Sequence, residues 1–311
     1  MSERVIVTGA TGFVGASVVA ALVAEGRPVT ALVRSESNVR RLESLNGLDR
    51  ICYDWDDDQR VLSLLREQKP ATVIHCAWRG VGGHDRNEEF QLRDNVSLTL
   101  RSVSLASAVG CRQWIGLGSQ AEYGNQNKRL SETAPLQPTT RYGEAKKLAG
   151  IEALDRCCSS GIAGAWLRVF STYGPDDSPE WFIPYVIQEL LASRAPRLTL
   201  CEQMWDYLYV DDAARAIAAV ADGATAGVFN LGSGSARPLR DYVEAAREEI
   251  GTDVSPIYGA VPYRPDQVMH LEADISRLVA ATSWQPRIDI TEGMRATVSF
   301  ERQRALSSLP H

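Results

Sequence analysis

The stretch from Val5 to Gly15 constrains the fold of this chain more than any other. It reads VIVTGATGFVG, an apolar run that ends in three glycines spaced three residues apart. Such a run is typical of a buried parallel strand, and the apolar residues that follow recur at helical spacing as far as Gly26. A strand, a glycine turn and a helix in this order predict a dinucleotide-binding unit, in which free N–H groups at the start of the helix face phosphates. An ordinary turn that happens to hold three glycines is the simpler alternative.

The three glycines have separate roles in this prediction. Gly9 would permit the sharp turn, Gly12 would let the backbone approach a pyrophosphate, and Gly15 would let the helix pack against the strand. Their spacing is Gly-x-x-Gly-x-x-Gly, which differs from the more common Gly-x-Gly-x-x-Gly fingerprint.

Composition limits the class of protein. With 311 residues, 44% hydrophobic and 23% charged, the chain has the balance of a globular protein and room for one large or two modest domains. A net charge of −6 argues against a nucleic-acid-binding surface, and no apolar stretch is long enough to span a membrane. The first strand follows Met1-Ser2-Glu3-Arg4 without the length of a signal peptide, so we expect a cytoplasmic protein with no nucleic-acid or membrane partner.

The residue types that commonly bind metals do not cluster in this sequence. The six cysteines lack metal-ligand spacing, and several lie in apolar runs, as buried reduced thiols do. No group of His, Asp and Glu has ligand spacing either. We therefore expect no metal site.

Predicted strands and helices alternate through the first half of the chain. The further predicted strands lie at 28–33, 51–53, 72–77, 114–118 and 164–169. Helical spacing of apolar residues extends from Arg86 to Val109. This alternation predicts an α/β fold with a doubly wound parallel sheet, the Rossmann arrangement. His75 falls within an apolar strand and is predicted to be a core residue.

The residue after the second predicted strand bears on the cofactor. In a dinucleotide fold this strand end meets the adenosine ribose, where a carboxylate binds the 2′-hydroxyl of NAD and an arginine accommodates the 2′-phosphate of NADP. Here Arg34 follows Val33, and the first carboxylate is Glu36. The sequence therefore favours NADP(H), with NAD(H) as the alternative. A solvated surface arginine is the simpler interpretation of Arg34.

A serine, a tyrosine and a lysine carry the candidate chemistry. Ser119 follows the strand at 114–118, at the carboxyl end where ligands bind in such sheets. Tyr142 and Lys146 are four residues apart on a predicted helix, so both lie on one face. A neighbouring ammonium favours the phenolate and lowers the pKa of a tyrosine from its usual value of about 10. This spacing is common on surface helices, but after a glycine turn and a strand-terminal serine it predicts a proton-transfer site.

Motifs along nearly the whole chain resemble one family. Besides the glycine turn they are TVIHCA from Thr72, YGEAK from Tyr142, RVFSTYGP from Arg168 and WDYLYVDDAA from Trp205. Together they resemble the extended short-chain dehydrogenase/reductase family, of the NAD-dependent epimerase/dehydratase type. The resemblance implies a Rossmann domain at 1–170, to which 207–231 return, and a smaller, mainly substrate-binding C-terminal domain at 171–311. It also implies a nucleoside-diphosphate sugar as substrate and a homodimer.

The family's functional residues carry over onto the matching positions. The implied catalytic residues are Ser119, Tyr142 and Lys146. The implied cofactor contacts are Gly9, Thr11, Gly12, Phe13, Val14, Gly15, Arg34, Asp54, Ala77, Tyr142 and Lys146. The implied substrate contacts are Gln120, Ser171, Trp205 and Arg264.

Three of the implied substrate contacts depart from the family pattern or have a simpler interpretation. Ser171 replaces an asparagine of the family pattern, and Trp205 replaces an arginine. A tryptophan does not pair with a phosphate but can stack on a base or a sugar. Arg264 would grip a pyrophosphate, although an arginine in a surface salt bridge looks the same in sequence.

The groups around the shared site divide the family by reaction. Where 4,6-dehydratases carry Thr-Asp-Glu, this chain has Ser119-Gln120-Ala121, which lacks the two carboxylates needed to eliminate water. The cysteine and histidine of the fucose-synthase type are also missing, at Ala121 and near Trp181. Simple 4-ketoreductases and 4-epimerases remain.

Two further segments favour a reductase. GSQAEYG from Gly118 and QMWDY from Gln203 resemble reductases of nucleoside-diphosphate 4-keto-6-deoxyhexoses, particularly the CDP-abequose synthase type. We therefore expect an NADPH-dependent 4-ketoreductase of deoxysugar biosynthesis, with CDP as a candidate carrier. The nearer alternative is a nucleotide-sugar 4-epimerase that retains NAD. The remote alternative is a non-catalytic NAD(P)-sensing protein, although such proteins commonly lose the Tyr-Lys pair.

Overall fold

The computed structural model describes residues 3–55 and 57–307. The strands are, in chain order, β1 (Val5–Thr8), β2 (Val29–Val33), β3 (Leu48–Cys52), β4 (Thr72–His75), β5 (Gln113–Ser119), β6 (Lys128–Leu130), β7 (Ala163–Val169), β8 (Ser171–Tyr173), β9 (Met204–Trp205), β10 (Tyr207–Tyr209), β11 (Gly227–Leu231), β12 (Arg237–Pro238) and β13 (His270–Ala273). The α-helices are α1 (Phe13–Ala24), α2 (Asp58–Gln68), α3 (Val96–Ala108), α4 (Arg141–Ser159), α5 (Phe182–Leu191), α6 (Val210–Asp222), α7 (Leu239–Ile250), α8 (Ser276–Thr282) and α9 (Ile290–Ser307).

Seven of these strands form one parallel sheet within the described part of the chain. Its order is β11-β7-β5-β4-β1-β2-β3, so the chain winds from β1 first to one edge and then to the other. Val5 of β1, for example, pairs with Val29 on one side and with Thr72 on the other. The predicted doubly wound α/β fold is confirmed.

Helices cover both faces of this sheet. α1 and α6 contribute Leu22 and Ile217 to a core that includes Val5 and Val7 of β1. α2, α3 and α4 contribute to a second core that includes Ile6. Because successive side chains of a strand point to opposite faces, the two cores lie on opposite sides of the sheet. Burial on both sides explains why the central strands lack exposed residues.

The third strand starts earlier than the sequence indicates. It was expected at 51–53 and is found at Leu48–Cys52, with Asp49 and Arg50 exposed. This strand is one edge of the sheet and is half covered, so polar residues interrupt the apolar pattern used to predict strands.

The helix expected from Arg86 to Val109 also differs. Residues 86–89 are turns and loop, a π-helical turn covers Gln91–Asn95, and α3 begins only at Val96. The side chain of Asn95 accepts a hydrogen bond from the backbone N–H of Arg79 and donates one to its carbonyl, both at 2.9 Å. These bonds hold the loop after β4 beside the helix, and π turns are often found where such local demands interrupt an α-helix.

The elements after β7 build a second, smaller core. Helices α5, α7 and α9 pack around Ile187, Val243 and Val298. A four-stranded sheet of order β12-β9-β13-β6 adjoins it, and β6 comes to this sheet from the first half of the chain. In the described residues, no helix combines the length and the apolar content needed to cross a membrane.

Asp206 joins β9, β13 and the loop after β11. Its fully buried carboxylate accepts hydrogen bonds from the backbone N–H groups of Ser233 (2.6 Å), Gly234 (3.0 Å) and Ala273 (2.9 Å). Burial raises the pKa of this carboxyl, and the N–H donors oppose the shift. The carboxylate therefore replaces backbone pairing at the junction between the large sheet and the small one.

We expect Asp206→Ala to lower the free energy of unfolding by about 3 kcal/mol, because three N–H groups lose their acceptor at a buried position. Asp222→Ala, which removes an exposed partner of Arg27, should cost less than about 1 kcal/mol. Urea unfolding followed by circular dichroism measures both values. Equal losses in the two variants would contradict the role given to Asp206.

Candidate active site

The glycine turn after β1 leaves no room for side chains. Gly9 has a φ of +67°, and a Cβ there would lie 2.5 Å from the backbone nitrogen of Ala77. A Cβ on Gly15 would overlap the carbonyl oxygen of Gly9, so glycine is needed for α1 to approach β1. The first turn of α1 begins at Phe13 and carries no acidic side chain. Its free N–H groups and positive dipole end fit the pyrophosphate of a dinucleotide.

A cavity of about 340 Å³ adjoins this turn. The predicted site residues that line it are Gly9, Gly12, Phe13, Val14, Gly15, Ser119, Gln120, Tyr142, Lys146 and Ser171. The structure therefore places the three predicted catalytic side chains, one from the end of β5 and two from α4, on the same cavity as the glycine turn.

Four predicted cofactor contacts lie at the edge of this site and not in the cavity lining. Thr11 is part of the glycine turn, and the backbone of Ala77 packs against Gly9. Asp54 follows β3 and accepts a hydrogen bond from the backbone N–H of Ser35 (2.9 Å), just beyond the end of β2. These positions surround the sheet edge at which such folds bind adenosine.

Arg34, the fourth of these contacts, is exposed at the end of β2. Its guanidinium lies 3.2 Å from the carboxylate of Glu36, and both side chains are largely in solvent. An exposed pair of this kind contributes little to stability and can rearrange when an anion binds. The geometry is therefore compatible with both interpretations of Arg34, the phosphate ligand and the surface residue.

The predicted substrate contacts divide into two groups. Gln120 and Ser171 line the cavity. Trp205 lies behind Ser171, and its indole N–H donates to the Ser171 hydroxyl at 2.8 Å. Arg264 is exposed on a loop and lies outside the lining of the cavity.

Ser119 ends β5 and is held by the turn that follows it. Its hydroxyl accepts a hydrogen bond from the backbone N–H of Ala121 (3.2 Å), and its own N–H donates to the carboxylate of Glu122 (2.9 Å). This capping box fixes the serine at the carboxyl end of the strand. The hydroxyl therefore faces the cavity from a rigid position.

Tyr142 and Lys146 lie one turn apart at the start of α4, and both are buried. Burial raises the pKa of Tyr142, while Ser119 and the positive charge of Arg86 lower it. Burial lowers the pKa of Lys146 to about 7, while the charge of Glu122 opposes that shift. The pKa of Tyr142 is thus raised overall, and not lowered as the sequence predicts, because burial outweighs the neighbouring groups that favour the phenolate.

Trp78 forms one wall beside the lysine. The Lys146 ammonium lies 3.6 Å from the centroid of the Trp78 ring and donates to the carbonyl of Leu117 (2.7 Å). The indole N–H of Trp78 donates to Gln91 (2.9 Å), which is fully buried in the π turn. Sequence reasoning missed this wall, because it depends on the packing of the loop after β4 against α4.

A buried ion pair beneath the site was also missed. The Glu122 carboxylate pairs with Arg168 at 2.8 Å and accepts a hydrogen bond from Trp166 at 2.9 Å. Both charged side chains are nearly inaccessible to solvent. The arginine of the RVFSTYGP motif was visible in the sequence, but its partner was not.

Asp177 is a further cavity residue that sequence reasoning did not single out. Its buried carboxylate lines the cavity and accepts a hydrogen bond from the backbone N–H of Ser178 (2.8 Å). Burial raises its pKa to about 7, despite that bond and the nearby charge of Arg41. Paired aspartates directly after Gly174-Pro175 were the available signal, and in sequence they look like a solvated loop.

Arg41 connects the glycine turn to the loop after β8. Its guanidinium donates to the carbonyl of Thr11 in the glycine turn (2.9 Å) and to both the carboxylate (2.8 Å) and the carbonyl (2.7 Å) of Asp176. Arg40 pairs with the same carboxylate at 2.6 Å. The loop after β8 is thereby tied to the dinucleotide-binding side of the protein.

His75 behaves as predicted. It is buried, its Nδ1 lies 2.7 Å from the Thr8 hydroxyl, and burial lowers its pKa to about 3. Across residues 3–55 and 57–307, no three His, Cys, Asp or Glu side chains come together as a metal ion would require.

The sequence model of the NAD dependent epimerase/dehydratase family matches residues 5–232. This match covers both the glycine turn and the strand that completes the large sheet. The resemblance inferred from the motifs is confirmed.

Curated relatives extend over nearly the whole chain. A dTDP-glucose 4,6-dehydratase from Streptomyces griseus is 28% identical, over 96% of this chain and 94% of the relative. CDP-abequose synthase from Salmonella muenchen is 24% identical, over 97% of this chain and 99% of the relative. UDP-glucose 4-epimerases are also among the proteins similar to this chain. The names of these relatives all refer to nucleotide sugars, and they refer to different reactions.

A solved structure of MoeE5 in complex with UDP-glucuronic acid and NAD is similar throughout. It is 26% identical to this chain, with a TM-score of 0.82, and the match covers 97% of this chain and 99% of that one. That protein binds NAD and a nucleotide sugar on the same fold.

We expect Gly15→Ala to weaken the binding of NADPH or NADH about tenfold or more, because the added Cβ would force α1 away from the glycine turn. Gly83→Ala is the matched control, since nothing lies within 4 Å of a Cβ at that position. Titrations followed by nicotinamide fluorescence measure both. Unchanged affinity in a folded Gly15→Ala protein would rule out this turn as the dinucleotide site.

Proposed function

This chain belongs to the NAD dependent epimerase/dehydratase family, and we propose that within it the chain is an NADPH-dependent 4-ketoreductase of a nucleoside-diphosphate 4-keto-6-deoxyhexose. The observation that carries the proposal is the composition of one cavity. Ser119, Tyr142 and Lys146 line it together, and Gln120 stands where an elimination would need a carboxylate. Similarity to CDP-abequose synthase over 97% of the chain supports CDP as the carrier.

The groups that are placed around the reacting carbon support reduction over dehydration. Gln120 and Ala121 supply neither of the two carboxylates that eliminate water. Among the described residues that line the cavity, Asp177 is the one carboxylic acid, and it comes from a different segment. One acid of this kind can hydrogen-bond a sugar hydroxyl, whereas the elimination expected of a dehydratase requires a positioned pair.

The three side chains divide the proton chemistry between them. Tyr142 donates its phenolic proton to the sugar oxygen as the ketone becomes an alcohol. Ser119 hydrogen-bonds the same oxygen and holds it beside the phenol. Lys146 favours the phenolate that results and would hold the ribose of the nicotinamide half. Bound NADPH supplies the hydride.

Arg34 supports NADPH as the cofactor. The residue directly after β2 is a cation, and the nearest carboxylate on this loop, Glu36, already pairs with it. A guanidinium at this position suits a 2′-phosphate, whereas NAD is usually held by a carboxylate on its 2′-hydroxyl. The similar MoeE5 structure contains NAD, and the alternative cofactor for this chain is therefore NADH.

A 4-epimerase that retains NAD is the second candidate. It uses the same serine, tyrosine and lysine but returns the hydride to the opposite face of the sugar. The bonds from Arg41 to Thr11 and Asp176 favour it, because they tie the glycine turn to the loop after β8 and would slow the release of a dinucleotide bound at that turn. Epimerases among the similar proteins favour it as well.

The second core supplies the substrate side of the proposed enzyme. Ser171 faces the cavity and is fixed by Trp205, so the Ser171 hydroxyl would be oriented toward a sugar or a phosphate. We assign residues 171–311 mainly to substrate binding, with 207–231 returning to the dinucleotide domain.

Leu148 and Ile151 are exposed on α4 and support a homodimer formed through this helix.

The reductase and the epimerase predict opposite results with two substrates. With a 4-keto-6-deoxyhexose nucleotide generated in place by a dehydratase, we expect oxidation of NADPH at least about tenfold faster than oxidation of NADH. Arg34→Ala should remove most of that preference without affecting the NADH rate. Interconversion of UDP-glucose and UDP-galactose, with no net oxidation of either cofactor, would instead establish the epimerase.

Tyr142→Phe should lower kcat about 10²- to 10⁴-fold, because the acid that protonates the sugar oxygen is lost. NADPH affinity should change by less than about twofold, since the ring and its packing remain. Tyr258→Phe, which removes a hydroxyl bonded to Glu244 away from the cavity, is the control. Stopped-flow turnover and fluorescence titration separate the two effects. A Tyr142→Phe enzyme with normal kcat would exclude this tyrosine as the acid.

A further inference from the structure

Arg86 lies beside Tyr142 in the candidate site. The carbonyl oxygen of Arg86 accepts a hydrogen bond from the backbone N–H of Tyr142 at 2.8 Å, so the loop after β4 and the start of α4 hold each other in place. The guanidinium carbon lies 5.3 Å from the centroid of the Tyr142 ring, and the side chain lines the cavity. Sequence reasoning placed Arg86 on a helix and gave it no role.

The charge of Arg86 is not neutralised by the protein. No carboxylate among residues 3–55 and 57–307 forms an ion pair with it, and its Nε is buried without a hydrogen-bond partner. Arg79, in the same loop, shows the ordinary arrangement, because its guanidinium packs 4.3 Å from the Phe90 centroid and pairs with Asp94 at 3.6 Å. A half-buried cation without an acidic partner is unfavourable for folding, so its position beside the phenol calls for a different explanation.

Of the two cations that face Tyr142, Lys146 contributes less positive charge near the phenol at neutral pH. Its ammonium is 5.9 Å from the centroid of the Tyr142 ring and is directed at the Leu117 carbonyl and the Trp78 ring. Burial lowers its pKa to about 7, so part of its charge is lost near neutral pH. A guanidinium remains charged at every pH at which the protein is folded.

We propose that Arg86 is a positioning residue that acts through Tyr142: it supplies the permanent positive charge that stabilises the phenolate form of this tyrosine. The inference rests on the proposed role of Tyr142 as the acid. In this arrangement Arg86 contributes a positive charge that does not change with pH. The charge that Lys146 contributes varies with pH and with a bound ribose.

The other groups facing Tyr142 do not replace this charge. Ser119 is neutral, and Glu122 is an acid whose charge opposes the phenolate and is paired with Arg168. Trp78 is uncharged, and its ring lies nearly perpendicular to that of Tyr142 with the centroids 6.0 Å apart. Arg86 is therefore the fixed cation of this set.

The test is the pH dependence of oxidation of the 6-deoxyhexose nucleotide by NADP⁺, a direction in which Tyr142 must be ionised. Removing a cation raises the pKa of a nearby phenol. Arg86→Gln should therefore move the pH of half-maximal rate upward by about one unit or more, which is an approximately tenfold loss of rate below that pH. Arg86→Lys should restore most of the original midpoint. Arg79→Gln, the matched control from the same loop, should leave it unchanged.

A second measurement does not depend on turnover. The tyrosinate ultraviolet absorbance of the NADP⁺ complex is titrated with and without Tyr142→Phe, and the difference isolates the ionisation of this one tyrosine. Arg86→Gln should shift that titration upward by the same amount. Arg86→Met, whose unbranched side chain keeps the contact with the ring, takes the place of Arg86→Gln if the latter fails to fold.

The outcomes separate the two proposals. A lower kcat with an unmoved midpoint and an unmoved tyrosinate titration would overturn the role of Arg86, whatever the activity of Tyr142→Phe. Normal activity of Tyr142→Phe would overturn the proposed function, and the tyrosinate titration would still report whether Arg86 sets the ionisation of Tyr142. Rescue of both the midpoint and the titration by Arg86→Lys supports the charge over a purely structural contact.

Discussion

The buried carboxylate of Glu122 joins the candidate site to the core of the sheet. It fixes the backbone of Ser119 at 2.9 Å and pairs with Arg168 on the neighbouring strand at 2.8 Å. Arg168 donates in turn to the Tyr123 hydroxyl (2.9 Å), which donates to Asn230 on β11 (2.6 Å). Three adjacent parallel strands are thus linked by side chains as well as by backbone. Because neither charge reaches solvent, each member of this network needs its partners, and the end of β5 has little freedom to move.

This rigid base carries a site that depends on burial for its chemistry. In water a tyrosine and a lysine have pKa values of about 10 and 10.4, so neither exchanges protons readily near neutral pH. Burial favours the neutral form of each, which raises the pKa of Tyr142 and lowers that of Lys146 to about 7. A phenol in such surroundings needs cations to stabilise its ionised form. The helix provides one in Lys146 and the loop after β4 provides another in Arg86, so the site draws on two elements that pack together only in the folded protein.

The sequence was most informative where strands are buried on both faces and where backbone geometry demands glycine. Gly9 and Gly15 were predicted to form a close turn, and the structure shows that a Cβ at either position would meet backbone atoms. Prediction was less accurate at β3, an edge strand in which the exposed Asp49 and Arg50 interrupt the apolar pattern. It also failed at 86–89, where apolar spacing resembled a helix but the chain forms a loop whose Arg86 carbonyl accepts a hydrogen bond from the backbone N–H of Tyr142.

By itself the sequence determined the alternation of strands and helices in the first half of the chain, the glycine turn, and the placement of Tyr142 and Lys146 on one helical face, because each of these depends on residues close together in the chain. Only the tertiary structure decided which side chains surround that pair. Arg86, Glu122 and Asp177 come from three different segments, and none has a spacing that distinguishes it from a surface charge. Their roles arise from burial and from distances across the fold. A charge buried beside another group changes that group's chemistry, whereas the same charge in solvent does not.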